Sequence, residues 1–187
     1  PVRMASKRFP NKPMVMIKGK PMVQRVWEQA VLSSVGDVIV ACSEKVVYDL
    51  ITSLKGKAQL TDPNLPSGTD RVYAAIQKLS NINQYDSIIN LQGDMPLIKP
   101  QDIGQVNFPL QQGYDIGTLV TNFKDDNEAK DNNTTKAHIE WIKKDLIGRA
   151  LDFNKETNSL DGKNYYHHVG IYSFRYETLK KFVSLPP

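Results

Sequence analysis

Four cations crowd the opening of this 187-residue chain: Arg3, Lys7, Arg8 and Lys12 fall within ten residues, with Ser6 and Asn11 between them. Cations at that density need anions. Pro10 and Pro13 stiffen the backbone around them, and a stiff loop can aim positive charge at phosphates. A solvated basic terminus would carry the same residues, so both readings stay open at this point. The loop is not a Walker phosphate loop, because Gly-x4-Gly-Lys-Ser/Thr does not occur in it.

Three further clusters could do chemistry. Gln92-Gly93-Asp94-Met95-Pro96 follows the apolar run Ser87-Ile88-Ile89-Asn90-Leu91. If that run is a strand, Asp94 stands just past its carboxyl end, the edge at which open α/β sheets bind ligands. A carboxylate there can hold Mg²⁺ against a triphosphate, since Mg²⁺ takes one or two carboxylates and completes its shell with phosphate oxygens and water. A plain turn aspartate would look the same. Pro66-Ser67-Gly68-Thr69-Asp70-Arg71 precedes a helical run of Val72, Ala75, Ile76 and Leu79. Hydroxyl residues at a helix start cap it, and free amides there also receive an anion or a nucleobase carbonyl. Capping accounts for Ser67 and Thr69 and leaves Arg71 unexplained. In Tyr165 to Tyr172, strand alternation puts His168, Gly170 and Tyr172 on one face and His167, Val169 and Ile171 on the other. Histidines on opposite faces do not make a zinc site, whereas one of them could hydrogen-bond a polyhydroxy acid.

The elements that must position these residues alternate. Met22, Val23, Val26, Trp27, Ala30 and Val31 keep helical spacing after Pro21, and the β-branched run Val38-Ile39-Val40 follows. Val46 to Leu54 repeats the helix, Ala58 to Thr61 the strand, Val72 to Leu79 the helix and Ser87 to Gln92 the strand. That order predicts an α/β fold, a three-layer sandwich around a mostly parallel mixed sheet. Past Gly113 the texture changes to hairpins: strands are expected over Tyr114 to Phe123, Lys136 to Lys143, Gly148 to Phe153 and Tyr166 to Phe174, and a closing helix over Tyr176 to Val183. Pro109 should break or shorten the helix that starts at Pro100.

With 40% hydrophobic and 24% charged residues, residues 1–187 suit one globular domain, within which 134–174 form an antiparallel region suited to dimerisation or to a sugar site. No run of about 18 apolar residues and no signal peptide are visible, so membrane insertion is not expected and a cytoplasmic location is. The net charge of +4 is scattered, without a basic block, which argues against nucleic acid as a partner and suits a phosphorylated small substrate. Cys42, the single cysteine, lies in an apolar run and reads as a buried thiol.

Taken in order, Pro1-Val2-Arg3, Ser6-Lys7-Arg8-Phe9-Pro10-Asn11-Lys12-Pro13-Met14, Gly19-Lys20-Pro21-Met22, Ser67-Gly68-Thr69-Asp70-Arg71, Gln92-Gly93-Asp94-Met95-Pro96 and His168-Val169-Gly170-Ile171-Tyr172 cover nearly the whole chain. The set resembles the 3-deoxy-manno-octulosonate cytidylyltransferase (CMP-Kdo synthetase) family. The resemblance implies a nucleotide-diphospho-sugar transferase-like fold, a homodimer, and the Mg²⁺-dependent reaction of CTP with 3-deoxy-manno-octulosonate (Kdo) to CMP-Kdo and pyrophosphate, for lipopolysaccharide biosynthesis. It implies that Arg3 and Lys12 neutralise the triphosphate and that Asp94 binds Mg²⁺. Pro1, Ser67, Gly68, Thr69 and Gln92 would then hold the nucleotide, and Arg71, Gln92, His168 and Tyr172 the sugar. The family's strand before the first motif, and its C-terminal region with a second Mg²⁺ aspartate and glutamates near the sugar, do not occur in these residues, so residues 1–187 alone are expected to be inactive. Asp152-Phe153-Asn154-Lys155 also departs from the family's Tyr-Phe-Ser-Arg and is followed by a shortened stretch. Rival expectations are a cytidylyltransferase for another acidic sugar such as sialic acid, or a non-catalytic nucleotide- or sugar-binding module.

Overall fold

The computed structural model describes residues 1–4, 9–156 and 164–186. The chain divides into two compact units, one formed by Pro1–Gly117 with Ile171–Pro187 and the other by Thr118–Gly170.

In the first unit, a two-residue hairpin of β1 (Met16–Ile17) and β2 (Lys20–Pro21) turns through Lys18 and Gly19, both at positive φ, and leads into α1 (Met22–Leu32). Strand β3 (Ile39–Cys42), helix α2 (Lys45–Ser53) and strand β4 (Lys57–Leu60) form a β-α-β unit, with β3 and β4 parallel and Ile39 opposite Lys57. The apolar sides of α1 and α2 close on this pair: Val23, Val40, Cys42, Val47 and Ile51 form one core, with Trp27 and Ala58 against it. Gly56 is required there, because a Cβ would lie 2.7 Å from Ile51 and 2.9 Å from Trp27.

Helix α3 (Gly68–Ile76) and strand β5 (Ile88–Leu91) come next, then α4 (Pro100–Gln105) and α5 (Phe108–Gln111). The break between the last two helices is the one expected from Pro109, which has no N–H to continue a helix and sits in the first turn of α5. Strand β6 (Ile116–Thr121) then carries the chain from the first unit into the second.

The second unit holds α6 (Asp126–Lys130), β7 (Lys136–Lys143), β8 (Ile147–Asn154) and the first part of β9 (Tyr165–Phe174). β7 pairs antiparallel with β8, and Lys136 to His138 pair antiparallel with Tyr165 to His167. Asp125 caps α6 by accepting from the Glu128 amide at 2.9 Å, while Glu128 binds the Lys124 amide and Nδ1 of His167. Lys136 is fully buried, its ammonium donating to the carbonyls of Asp131 (2.6 Å) and Lys155 (3.0 Å).

Back in the first unit, Ile171–Phe174 pairs antiparallel with β5, and α7 (Tyr176–Val183) buries Leu179 with Val72, Ile76, Ile88 and Phe174 in a second core. The α/β character expected from sequence is present, but parallel pairing is a smaller share than expected. Among the described ladders only β3 with β4 is parallel, because β5 takes the returning strand β9 as its partner in antiparallel sense. Pro1 and Val2 link the end of β3 to the loop after β5: the Val2 amide donates to Ala41 at 2.7 Å, Pro1 accepts from Gly93 at 3.3 Å, and Val2 bridges Cys42 in parallel. A cavity of about 710 Å³ lies beside them, lined by Val26 and Trp27 of α1, Val40 of β3, Ile76 of α3 and Ile88 of β5.

Candidate active site

Pro1 and Val2 anchor the basic loop at the carboxyl edge. The tie to Gly93 needs a glycine, since a Cβ there would meet Val2 at 2.7 Å. Arg3 follows, exposed, and the loop is closed by the Asn11 amide donating to Met4 at 3.2 Å. Ser6, Lys7 and Arg8 lie outside the described residues. Asn11 at φ 59 turns the chain into a single turn of 3-10 helix, Lys12–Met14, whose Pro13 is buried. This turn aims Lys12 at the loop after β5, where its Nζ donates to Oδ2 of Asp94 at 2.6 Å. The two side chains, 82 positions apart, are 35% and 49% exposed, so both can re-partner with a ligand.

Across the same edge, Ser67 caps α3: its hydroxyl accepts from the amides of Thr69 (3.1 Å) and Asp70 (3.2 Å) and donates to the Asp70 carboxylate. Gly68 opens the helix, and a Cβ on it would stand 3.0 Å from Oε1 of Gln92 and 3.3 Å from Pro1. Pro1, Gly68 and Gln92 are thus brought together. Thr69 is not a cap. Its hydroxyl accepts from Nδ2 of Asn90 at 3.1 Å.

Arg71, left unexplained by capping, is 1% exposed and donates to the Thr61 hydroxyl, to the Asp62 carbonyl at 3.1 Å and to the Pro63 carbonyl at 3.4 Å. Arg71 thus fastens the loop after β4 to α3, and Thr61, donating to the Cys42 carbonyl at 3.1 Å, fastens the same loop to the end of β3. Burial pulls the Arg71 pKa down, and the Glu44 carboxylate opposes it. Tyr172 stands opposite Asn90 in the β5–β9 ladder, its ring 6.1 Å from that of Phe174, and burial raises its pKa.

His168 belongs to the second unit. It is 9% exposed, its Nε2 lies 3.0 Å from the Thr118 hydroxyl, and Phe153 meets it edge-on. Burial, with a smaller push from His167, lowers its pKa from 6.5 to about 4, so the ring is neutral near pH 7.

Sequence reasoning passed over three residues of the first unit. Asn90 is fully buried, and Ser43 and Glu44, just past β3, hold Oγ and Oε2 atoms that are buried with no hydrogen-bond partner among the described residues. The available signal was polarity inside or directly after an apolar strand. Among the described residues no three His, Cys, Asp or Glu side chains group as a metal cage. Asp94 alone suits a hard cation that draws its other ligands from phosphate oxygens and water.

A family model described as cytidylyltransferase matches residues 1–187. The 3-deoxy-manno-octulosonate cytidylyltransferase of Paramagnetospirillum magneticum is 42% identical over 187 residues, covering all of this chain and 76% of that protein. That of Rhodospirillum centenum is 38% identical over 188 residues, covering 100% of this chain and 73% of its own length. Among solved structures, CMP:2-keto-3-deoxy-manno-octonic acid synthetase complexed with CTP superposes with a TM-score of 0.85 at 32% identity, over 100% of this chain and 76% of that one. A 4-diphosphocytidyl-2C-methyl-D-erythritol synthase from Anaerococcus prevotii, at TM-score 0.59 and 10% identity over 99% of this chain and 75% of that one, shares the fold alone. With its carboxyl-edge cation, carboxylate and capped helix start in place, the chain belongs to the cytidylyltransferase family.

Proposed function

We infer that this chain transfers a cytidylyl group from CTP to Kdo, giving CMP-Kdo and pyrophosphate. The observation that carries the reading is the Lys12–Asp94 pair at 2.6 Å, which puts a cation and a carboxylate side by side, half-exposed, at the carboxyl edge of β5. In the reaction the anomeric hydroxyl of the sugar forms a bond to the α-phosphorus while the bond to pyrophosphate breaks, so charge moves onto the departing phosphates. Positioning and neutralisation suffice, and no nucleophilic side chain is needed. Lys12 and Arg3 hold phosphate oxygens in this proposal. The Ser67–Thr69 turn is proposed to hold the nucleotide, and Gln92 to lie between nucleotide and sugar.

Mg²⁺ belongs to the same proposal, with Asp94 as its protein ligand. When bound it would draw phosphate oxygens together and offset their charge. Arg71 and Tyr172 are proposed for the sugar side, Arg71 through the loop it fastens. A three-layer arrangement, a cytoplasmic location and a supply of activated sugar to lipopolysaccharide go with it. No described helix is long and apolar enough to cross a membrane.

Pyrophosphate release from CTP, Mg²⁺ and Kdo by the full-length protein is the deciding measurement. Release with sialic acid and none with Kdo would overturn the choice of sugar, and release with neither would overturn the enzyme.

A further inference from the structure

Strand β5 buries alternate positions, Ile88 and Asn90, and leaves Ile89 and Leu91 half-buried. Ile88 meets the second core as expected, yet two residues on the same face carries a carboxamide at 0% exposure. A buried amide is costly unless it is hydrogen-bonded, and an aliphatic side chain would fill the position without that cost. Asn90 has its partners: Nδ2 donates to the Thr69 hydroxyl at 3.1 Å, and Oδ1 accepts from Nε2 of Gln92 at 3.0 Å. Both ends of this relay are at the site. Thr69 is the second residue of α3, and its hydroxyl is free for Asn90 because Ser67 does the capping. Gln92 lies past the strand, and its amide rests against Gly68, where any Cβ would crowd Oε1 at 3.0 Å.

We propose that Asn90 is a positioning residue for cytidylyl transfer: by tying Gln92 to Thr69 it fixes the Gln92 amide over the start of α3, with Oε1 presented as acceptor to an amino or hydroxyl donor of the bound substrates. It rests on the reading above in which Gln92 faces those substrates. A glutamine side chain has three rotatable bonds, and holding it in its working rotamer beforehand spares that ordering when ligand arrives.

The test uses the full-length protein and two readouts. In an amide NMR spectrum, Asn90→Leu and, from the other end of the relay, Thr69→Val should each shift the Gln92 side-chain NH2 signals towards free glutamine and speed their exchange. Asn90→Asp, which can still accept from Gln92, should leave them near the wild-type position. In steady-state kinetics Asn90→Leu should lower kcat/KM roughly five- to tenfold, the scale of one hydrogen bond lost to a ligand. Asn90→Asp should restore most of that loss, and in a Gln92→Ala background Asn90→Leu should cost less than about twofold more. Unmoved Gln92 signals in both Asn90→Leu and Thr69→Val, or losses that multiply in the double variant, would overturn the proposal. Absence of turnover in the unaltered protein would count against the cytidylyl-transfer reading, and the NMR readout would still decide whether Asn90 holds Gln92.

Discussion

Lys12 and Asp94 form an ion pair at 2.6 Å, but both remain a third to a half exposed. Pairs at that exposure contribute about 0–1 kcal/mol to folding, because water screens them and ordering two side chains costs entropy. Their value lies in the charges they hold ready. Asp94→Asn should therefore leave the melting temperature nearly unchanged while lowering kcat about a hundredfold or more; a parallel fall in both would make the pair structural. His168 has the opposite balance. Its ring is buried and its pKa is lowered to about 4, so between pH 6.5 and about 4 the unfolded chain binds a proton that the folded chain does not. The neutral ring's contribution is thus fully present above pH 6.5 and is lost as pH falls towards 4, by up to about 3 kcal/mol. Urea denaturation across that range, compared with His168→Gln, checks the sign: the variant should lose less stability on acidification. Cys42 is fully buried, and burial followed by the nearby Glu44 carboxylate pushes its thiol up to about 11. It should react with a thiol reagent only after unfolding, and fast labelling of the folded chain would contradict its placement.

At the scale of elements, the start of α3 combines a structural and a chemical duty. Ser67 meets two amides that the helix cannot satisfy itself. Ser67→Ala should cost about 1 kcal/mol and Ser67→Gly only a few tenths, measured by chemical denaturation. The apolar spacing of α1, α2 and α3 was legible in sequence because a helix that covers a sheet must repeat its apolar side every three to four residues. So was the break at Pro109. The hairpin of β1 and β2 and the short α6 were not, since two- to five-residue elements are too brief to show a period and depend on turns and caps such as Gly19 and Asp125. The partner of β5 was also hidden: an apolar strand reads the same beside a parallel or an antiparallel neighbour.

For the whole molecule, the β7–β8 hairpin leaves Ile142 60%, Leu146 49%, Leu151 50% and Phe153 44% exposed, an apolar surface that favours association. The homodimer expected from the family resemblance should sediment at roughly twice the 21.1 kDa of this chain. Ile142→Glu combined with Leu151→Glu should yield a folded monomer. A monomeric wild type at high micromolar concentration would contradict that expectation.

The residue types at the carboxyl edge, their order along the chain and the alternation of helices and strands were all fixed by sequence, because charge, hydroxyl groups and apolar period are local properties. Family membership followed from that order. Only the tertiary structure decided which of those groups meet: that Lys12 reaches Asp94 across 82 positions, that Arg71 fastens the loop after β4, that Thr69 answers to Asn90 and not to its own helix, and that His168 is buried in its unit and neutral. Burial and long-range hydrogen bonds arise from packing between distant segments, and no local pattern encodes which buried polar group will find which partner.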